Sequence, residues 1–242
     1  MISFKSNQCK LFKQVKYSLS TNATVTEAFL YEKFNPDYSS INSYLTNYWP
    51  FNNDLKDIVG GADITVGYMN SYAIDRLNKA NSALYINYGY VKPPSGVYFN
   101  GDFTICFWIK LLVNVHTSMV NFGTNMNDDV YFGTVTTYIM NYYISNSGLA
   151  MPNTFSTANS VKLNVWQHYT VTLTGSISRI YINGILNIQS TAKSPRPINR
   201  YSNWIGSNNW NEGYHRFYMD DLKIFNRSLT QTEILKMINS YY

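Results

Sequence analysis

Hydrophobic and polar positions alternate most regularly between residues 165 and 190, VWQHYTVTLTGSISRIYINGILNIQS. Val165, Tyr169, Val171 and Leu173 fall on one side of the alternation and Trp166, His168, Thr170 and Thr172 on the other, the period of two that a β-strand requires. Gly175 and Ser176 interrupt it. Two β-branched runs follow, Ile177 to Ile182 and Ile185 to Gln189, separated by Asn183-Gly184, a pair that accepts positive φ at both central positions of a type I′ turn. That turn predicts a register in which Ile182 faces Ile185 and Tyr181 faces Leu186. Three consecutive antiparallel strands are expected at the centre of a sheet.

The same pattern recurs on both sides of this unit. In GDFTICFWIKLLV, residues 101–113, Phe103, Ile105, Phe107, Ile109 and Leu111 point one way and Thr104, Cys106, Trp108 and Lys110 the other. Cys106 and Trp108 are apolar too, so this strand is expected to be covered on both faces. Short strands are predicted at Ile64 to Val66, in SALYINYGYVKPP, and in three pieces between 118 and 150, SMVNFG, DVYFG and TYIMNYYIS, with Gly, Asn and Asp in the turns. FYMDDLKIF, 217–225, reads as the last strand. Thr230-x-x-Glu233 then forms a capping box that opens a short helix through Met237.

Residues 1–35 hold too little apolar surface to bury a core and read as an N-terminal arm. Residues 36–45, rich in Ser and Asn, read as a linker, and 46–242 as the main domain. Charged residues make up only 14% of the chain while aromatics make up 17%, with 22 Tyr, which favours strands over helices. The net charge of +5 is carried by Lys and Arg scattered singly, with no basic stretch interleaved with aromatics, which argues against nucleic acid as a partner. No apolar run approaches the roughly 18 to 20 residues of a membrane-spanning helix, so direct membrane insertion is not expected. Cys106 reads as a buried thiol, which leaves Cys9 without a partner in this chain. With acceptor triplets at Asn22 and Asn226, this fits an extracellular protein, as a piece of a larger polypeptide whose export signal lies outside this chain.

Four blocks in this order, YWPFNNDLKD, GDFTICFWIK, WQHYTVT followed by RIYING, and FYMDDLKIFNRSLTQTEI, resemble a laminin G-like jelly roll of the concanavalin A-like lectin/glucanase superfamily. The resemblance spans about residues 46–242. It implies an all-β fold, a two-sheet antiparallel jelly-roll sandwich with a short C-terminal helix, in which the terminal strands meet side by side. Within residues 1–35, the spacing of Cys-x-Leu, a polar stretch and a closing Tyr-x-Lys resembles the tail of a PAN/apple-type module; the alternative is an irregular arm.

The resemblance leaves function open, because the superfamily holds both lectins and hydrolases. Retaining glucanases need two carboxylates about 5 Å apart, which relatives supply as Glu-x-Asp-x-Glu on one strand. No such run occurs; Glu27, Glu32, Glu212 and Glu233 are isolated, and the neighbours Asp128-Asp129 and Asp220-Asp221 are expected on opposite faces of a strand. His168 reads as a hydrogen-bonded structural histidine, and His116 shows no metal-ligand spacing. Many relatives carry a metal where the first and last strands meet, and the resemblance places a structural calcium ion at Asp57, in the turn after the first strand, and Asp220, opening the last. The alternative is that Asp220 accepts hydrogen bonds from the N-terminal turn.

For recognition, the polar excursion from Arg200 to Arg216 is the candidate. Tyr201, Trp210 and Tyr214 could stack on sugar rings or anchor a protein, while Asn208, Asn209, Asn211 and His215 supply hydrogen bonds. Trp204, beside Ile205 and Gly206, is expected instead to cover the sheet's edge. The expected function is a non-catalytic extracellular recognition module that binds a glycan or an extracellular protein through its rim loops or the concave sheet. A structural spacer of a multidomain chain is the alternative, and a glycoside hydrolase is less favoured.

Overall fold

The computed structural model describes residues 40–113, 116–124, 127–135, 139–145, 154–210 and 215–240. The predicted N-terminal arm, Cys9, Asn22, Glu27, Glu32, Asn211, Glu212 and Tyr214 lie outside the described residues. The chain divides into two units, residues 1–43 and 44–242. In the first, residues 40–42 are helical and Ser43 Oγ donates to the Ser40 carbonyl.

The described residues of the second unit form thirteen strands and one helix: β1 (Leu45–Trp49), β2 (Val66–Ala73), β3 (Ala83–Lys92), β4 (Phe103–Leu111), β5 (Thr117–Thr124), β6 (Asn127–Val135), β7 (Ile139–Ile144), β8 (Thr154–Phe155), β9 (Gln167–Thr174), β10 (Ile177–Ile182), β11 (Ile185–Thr191), β12 (Ser202–Ile205), β13 (Arg216–Phe225) and α1 (Gln231–Asn239). Every strand pair is antiparallel. The strands run in the order β11-β10-β9-β4-β13-β3-β12-β5-β6-β7-β8, with β1 on β13 and β2 on β3. The first and last strands therefore lie side by side, as a jelly roll demands.

This continuous path folds into two facing sheets because β3 turns a corner. Its first half, Leu84 to Asn87, pairs with β13, and its second half reaches β12 at Val91. The bend falls at Tyr88, whose φ is +59°, and at Gly89, where a side-chain β-carbon would lie 2.0 Å from the Tyr68 carbonyl oxygen. β2 kinks at the same level, with a bulge at Met69. Only a residue without a β-carbon lets the two bent strands stay this close. The first sheet is then β11-β10-β9-β4-β13-β3 and the second β12-β5-β6-β7-β8.

The core lies between the sheets. Phe103, Ile105, Phe107, Ile109 and Leu111 of β4 all face it, as their alternation predicts, and Tyr169, Val171 and Leu173 join them from β9. Phe107 meets Phe132 of the opposite sheet edge to face at 6.1 Å. Each such buried ring contributes about 2 kcal/mol of transfer free energy. Val165 departs from the predicted alternation: β9 begins two residues later, and Val165 is exposed. The strand expected at Ile64 to Val66 begins where it was expected to end and runs to Ala73.

The central hairpin has the predicted register, Ile182 opposite Ile185 and Tyr181 opposite Leu186, with positive φ at Asn183 and Gly184. β4 is covered on its outer face as well. Cys106 Sγ lies 3.9 Å from Met237 Sδ of α1, and Thr104 Oγ1 donates to the Arg227 carbonyl and accepts from the Leu229 N–H. The capping box forms as read: Thr230 Oγ1 accepts from the Glu233 N–H, and Glu233 accepts from the Thr230 N–H.

Candidate functional site

Two clusters of polar and aromatic side chains lie on the outer faces of the sheets, and they differ in what their groups are free to do. On the first sheet, β13 bulges between Asp220 and Lys223, with Asp221 at φ +51°. The bulge overturns the expectation that the two carboxylates point to opposite faces. Arg76 pairs with Asp220 through Nη1 and with Asp221 Oδ2 through Nη2 at 2.6 Å, and the Tyr48 hydroxyl donates to Asp221. The guanidinium lies 4.9 Å from the Trp108 ring centre, and Trp108 meets His168 edge to face at 5.2 Å. These groups are all nearly buried.

Burial, followed by the charge of Asp221, pushes the Asp220 carboxyl well above the usual range against the pull of Arg76. Burial would raise Asp221 too, but Arg76, Lys223 and the hydrogen bonds from Tyr48 and Arg76 outweigh it and hold it low. His168 is pushed down to about 3, chiefly by burial and then by Arg76 and Lys223, so it stays neutral at ordinary pH. Its Nδ1 lies 3.2 Å from Thr170 Oγ1. The cluster fastens the β2–β3 connection onto the first sheet.

Asp57 and Asp220 do not fit the calcium site that the resemblance implies. Asp57 accepts five hydrogen bonds: from the N–H groups of Tyr48, Val59, Gly60 and Ala62 and from Asn47 Nδ2. It closes the turn after β1. Asp220 sits inside β13 rather than at its start, and faces Arg76. Among the described residues no three His, Cys, Asp or Glu side chains gather as metal ligands. A cation would have to displace a guanidinium and several N–H donors to gain the oxygens it needs.

The second sheet carries the other cluster. The period-2 rule turns Asp129 and Tyr131 of β6 outward together, with Val130 and Phe132 in the core. Tyr143 of β7 stacks on Tyr131 at 4.9 Å. The segment after β12 folds back over these residues, so that Trp210 meets Tyr131 edge to face at 5.8 Å and Tyr143 at 5.7 Å. Trp210 and Tyr143 remain partly exposed.

The segment is fixed by its own amides. Asn209 Nδ2 donates to Asp129 Oδ1 at 3.0 Å, and its Oδ1 accepts from Trp204 Nε1 at 2.9 Å and from Ser202 Oγ. Asn208 Nδ2 donates to Ser118 Oγ, and its Oδ1 accepts the Trp210 N–H at 2.8 Å. Gly123 makes room for the carboxylate, since a β-carbon there would lie 1.9 Å from Asp129 Oδ1. Burial pushes Asp129 up to about 6, against hydrogen bonds from Asn209, Asn121 and Ser145 and the charge of Arg200. Its sequence neighbour Asp128 turns away, held by Arg196 through two hydrogen bonds of 2.7 and 2.6 Å.

Of the residues proposed for recognition, the structure brings Asn208, Asn209 and Trp210 onto the second sheet, where Trp210 presents a partly exposed ring, Asn208 is buried, and the side-chain hydrogen bonds of both asparagines are made within the fold. His215 is buried too, its Nδ1 accepting the Ser118 N–H at 2.9 Å and its carbonyl the Tyr88 N–H at 2.8 Å. Tyr201 is exposed just before β12. Trp204 lies on the outer face at the seam between the sheets, partly exposed, with Lys92 Nζ 4.2 Å from its ring centre and Tyr90 edge-on at 5.0 Å. Sequence reading missed Asp129, Tyr131 and Tyr143, although the alternation in DDVYFG and NYYI held the signal.

A laminin G family model described as "Concanavalin A-like lectin/glucanases superfamily" matches residues 86–235. The chain belongs to this concanavalin A-like superfamily. No protein of curated function matches it by sequence. Among solved structures, the binding domain of Paraclostridial Mosquitocidal Protein 1 is similar at 20% identity and a TM-score of 0.65, over 83% of this chain and 53% of that one. Domain 4 of AbnA, a GH43 extracellular arabinanase from Geobacillus stearothermophilus solved with arabinotriose, is similar at 18% identity and a TM-score of 0.61, over 81% of this chain and 98% of that one. A botulinum neurotoxin type C structure, whose cell entry depends on two ganglioside molecules, is similar at 17% identity and a TM-score of 0.64, over 84% and 53%. The chain spans about half the length of the toxin chains it matches. These concanavalin A-like structures share its fold, and they include binding domains.

Proposed function

We propose that the chain is a non-catalytic extracellular module that binds carbohydrate on the outer face of its second sheet. The observation that carries this reading is Trp210, half-buried on Tyr131 and Tyr143 and held there by amides whose own hydrogen bonds are already made. An aromatic face fixed in this way stacks on the C–H face of a sugar ring without first losing rotamer freedom. Its neighbours Tyr143 and, across Asn209, Trp204 extend the platform. Both adjacent carboxylate pairs are committed to other work, Asp220 and Asp221 to Arg76 and Asp128 and Asp129 to separate partners, which supports binding over hydrolysis. The likeness to Domain 4 of AbnA, almost complete over that domain's length, supports a saccharide ligand.

A protein partner is favoured by one other feature. β2 pairs only with β3 among the described residues, and Val66, Tyr68 and Met69 stand about half exposed along it. An open apolar edge strand is a surface that a second polypeptide can extend.

The test is a glycan array that includes arabinotriose, followed by titration calorimetry on its hits. Trp210→Ala is expected to weaken saccharide binding about tenfold or more while moving the melting temperature by only a few degrees. If no glycan binds, or if Trp210→Ala binds as tightly as the parent, the carbohydrate reading fails and a spacer or protein-binding role remains.

A further inference from the structure

The outer face of the first sheet is covered at one end by α1 and at its middle by Arg76, but its other end is left partly open and carries a row of cations and rings. Lys110 of β4 stands opposite Tyr218 of β13, and Tyr218 opposite Tyr85 of β3, so the three form one line across the sheet. Trp166, just before β9, extends the line, because Gln167 is opposite Ile109. Tyr85 and Tyr218 stack at 4.8 Å. Lys110 Nζ lies 4.8 Å from the Tyr218 ring centre and 5.6 Å from that of Trp166, between the two rings. Arg216, two residues along β13, donates from Nε to the Tyr85 hydroxyl at 3.1 Å. All five side chains belong to residues of intermediate exposure.

Among the described residues, no carboxylate pairs with the cations of this row. The ion pairs among the described residues involve Arg76, Arg196 and Arg227, and neither Lys110 nor Arg216 has a carboxylate partner there. Asp220 and Asp221, on the same face, are sealed under Arg76. One cation held over ring faces and a second hydrogen-bonded to a tyrosine hydroxyl, with no carboxylate on either among the described residues, form a receptor for an anion attached to something that stacks.

We propose that this row is a second ligand site, taking an acidic saccharide: the sugar ring packs on Trp166 and against the rim of Tyr218, and its carboxylate or sulfate lies between Lys110 and Arg216. A neutral sugar would leave both cations unanswered. Two isolated cations are too few for the phosphate contacts that a nucleic acid requires. The site is on the opposite sheet from Trp210 and does not rest on the carbohydrate reading given there.

Titration calorimetry of the full chain at 50 and 200 mM NaCl would use four probes: trigalacturonic acid, a sulfated chondroitin tetrasaccharide, neutral maltotriose and a single-stranded oligonucleotide. At least one acidic probe is expected to bind several-fold more weakly at the higher salt, and maltotriose to bind at least about tenfold more weakly than that probe. Binding of the galacturonate shows that a carboxylate suffices, and binding of the chondroitin probe alone, which carries both groups, shows that a sulfate is needed. Lys110→Met, which keeps the chain length and packing, and Arg216→Gln are each expected to weaken acidic binding about tenfold. Trp210→Ala is expected to leave it unchanged, which separates this site from the other. The acidic probe is also expected to alter tryptophan fluorescence in the parent but not in Trp166→Phe. Four results would overturn the proposal: no acidic probe binding the parent, maltotriose binding as well as the acids, a single-stranded oligonucleotide binding more tightly than either acid, or undiminished affinity in a folded Lys110→Met/Arg216→Gln double variant.

Discussion

The two outer faces of this sandwich solve the same problem in opposite ways. Each carries carboxylates and aromatics where a sheet would otherwise show a plain polar surface. On the first sheet, Asp220, Asp221, Arg76, Trp108 and His168 close over one another until almost nothing is exposed. On the second, Asp129 and Asn209 are as fully engaged, but what they hold up, Trp210 and Tyr143, stays partly in solvent. A polar cluster whose every group is satisfied internally can only fasten the fold. One that spends its hydrogen bonds on positioning an aromatic face leaves that face ready for a ligand.

The comparison is broken most forcefully at Arg76. Removing a cation from between two buried carboxylates leaves charge uncompensated in a poorly solvated place. Arg76→Met is therefore expected to lower unfolding free energy by about 3 to 5 kcal/mol, read by chemical denaturation at pH 7. Saccharide affinity at the second sheet should be retained wherever the variant is still folded. A loss below about 1 kcal/mol would mean that the first cluster is not the fastening the geometry describes.

How much of this was legible beforehand differs between the two faces. Most of the strands, the Asn183-Gly184 hairpin and the capping box follow from periods and turn chemistry within a few residues of one another, and the structure has them, whereas β2 begins where a strand was expected to end and the short β8 and β12 carried no such period. The Arg76 cluster was not legible, because its members come from a loop, a strand interior and β1, and the bulge that turns Asp221 back toward Asp220 carries no sequence mark. The loop after β12 was found, by its aromatics among asparagines, but the roles within it were not. Composition made Asn208, Asn209 and His215 look like ligand contacts, whereas each satisfies a buried backbone or side-chain group instead.

A smaller effect sharpens the contrast through pH. His168 in the folded chain is held neutral, its pKa lowered to about 3 from an ordinary 6.5. A base with a depressed folded value gives stability that is complete above pH 6.5 and declines as pH falls from there toward 3. At about 1.4 kcal/mol per unit, the decline between pH 6.5 and 4.5 should be roughly 2 to 3 kcal/mol. Denaturant midpoints of the parent and His168→Gln across that interval give the measurement: the difference in stability between them should shrink by that amount on acidification. A constant difference would show that the imidazole takes up its proton without opening the first cluster.

The second face should respond with the opposite sign. Asp129 is raised to about 6 from an ordinary 3.8, because burial disfavours its charge more than Asn209, Asn121, Ser145 and Arg200 favour it. An acid with a raised folded value costs stability above pH 6, and that cost disappears as pH falls from 6 toward 3.8. Asp129→Asn keeps an oxygen to accept from Asn209 Nδ2 while removing the charge. It is expected to gain about 1 to 2 kcal/mol at pH 7.5 and close to nothing at pH 4, by denaturant titration at the two values. A variant less stable at both would make Asp129 a carboxylate whose charge is needed, as Asp221's is under Arg76, and the two faces would then be alike. The predicted gain would show that the charge beneath Trp210 is mildly unfavourable and that the support holds without it.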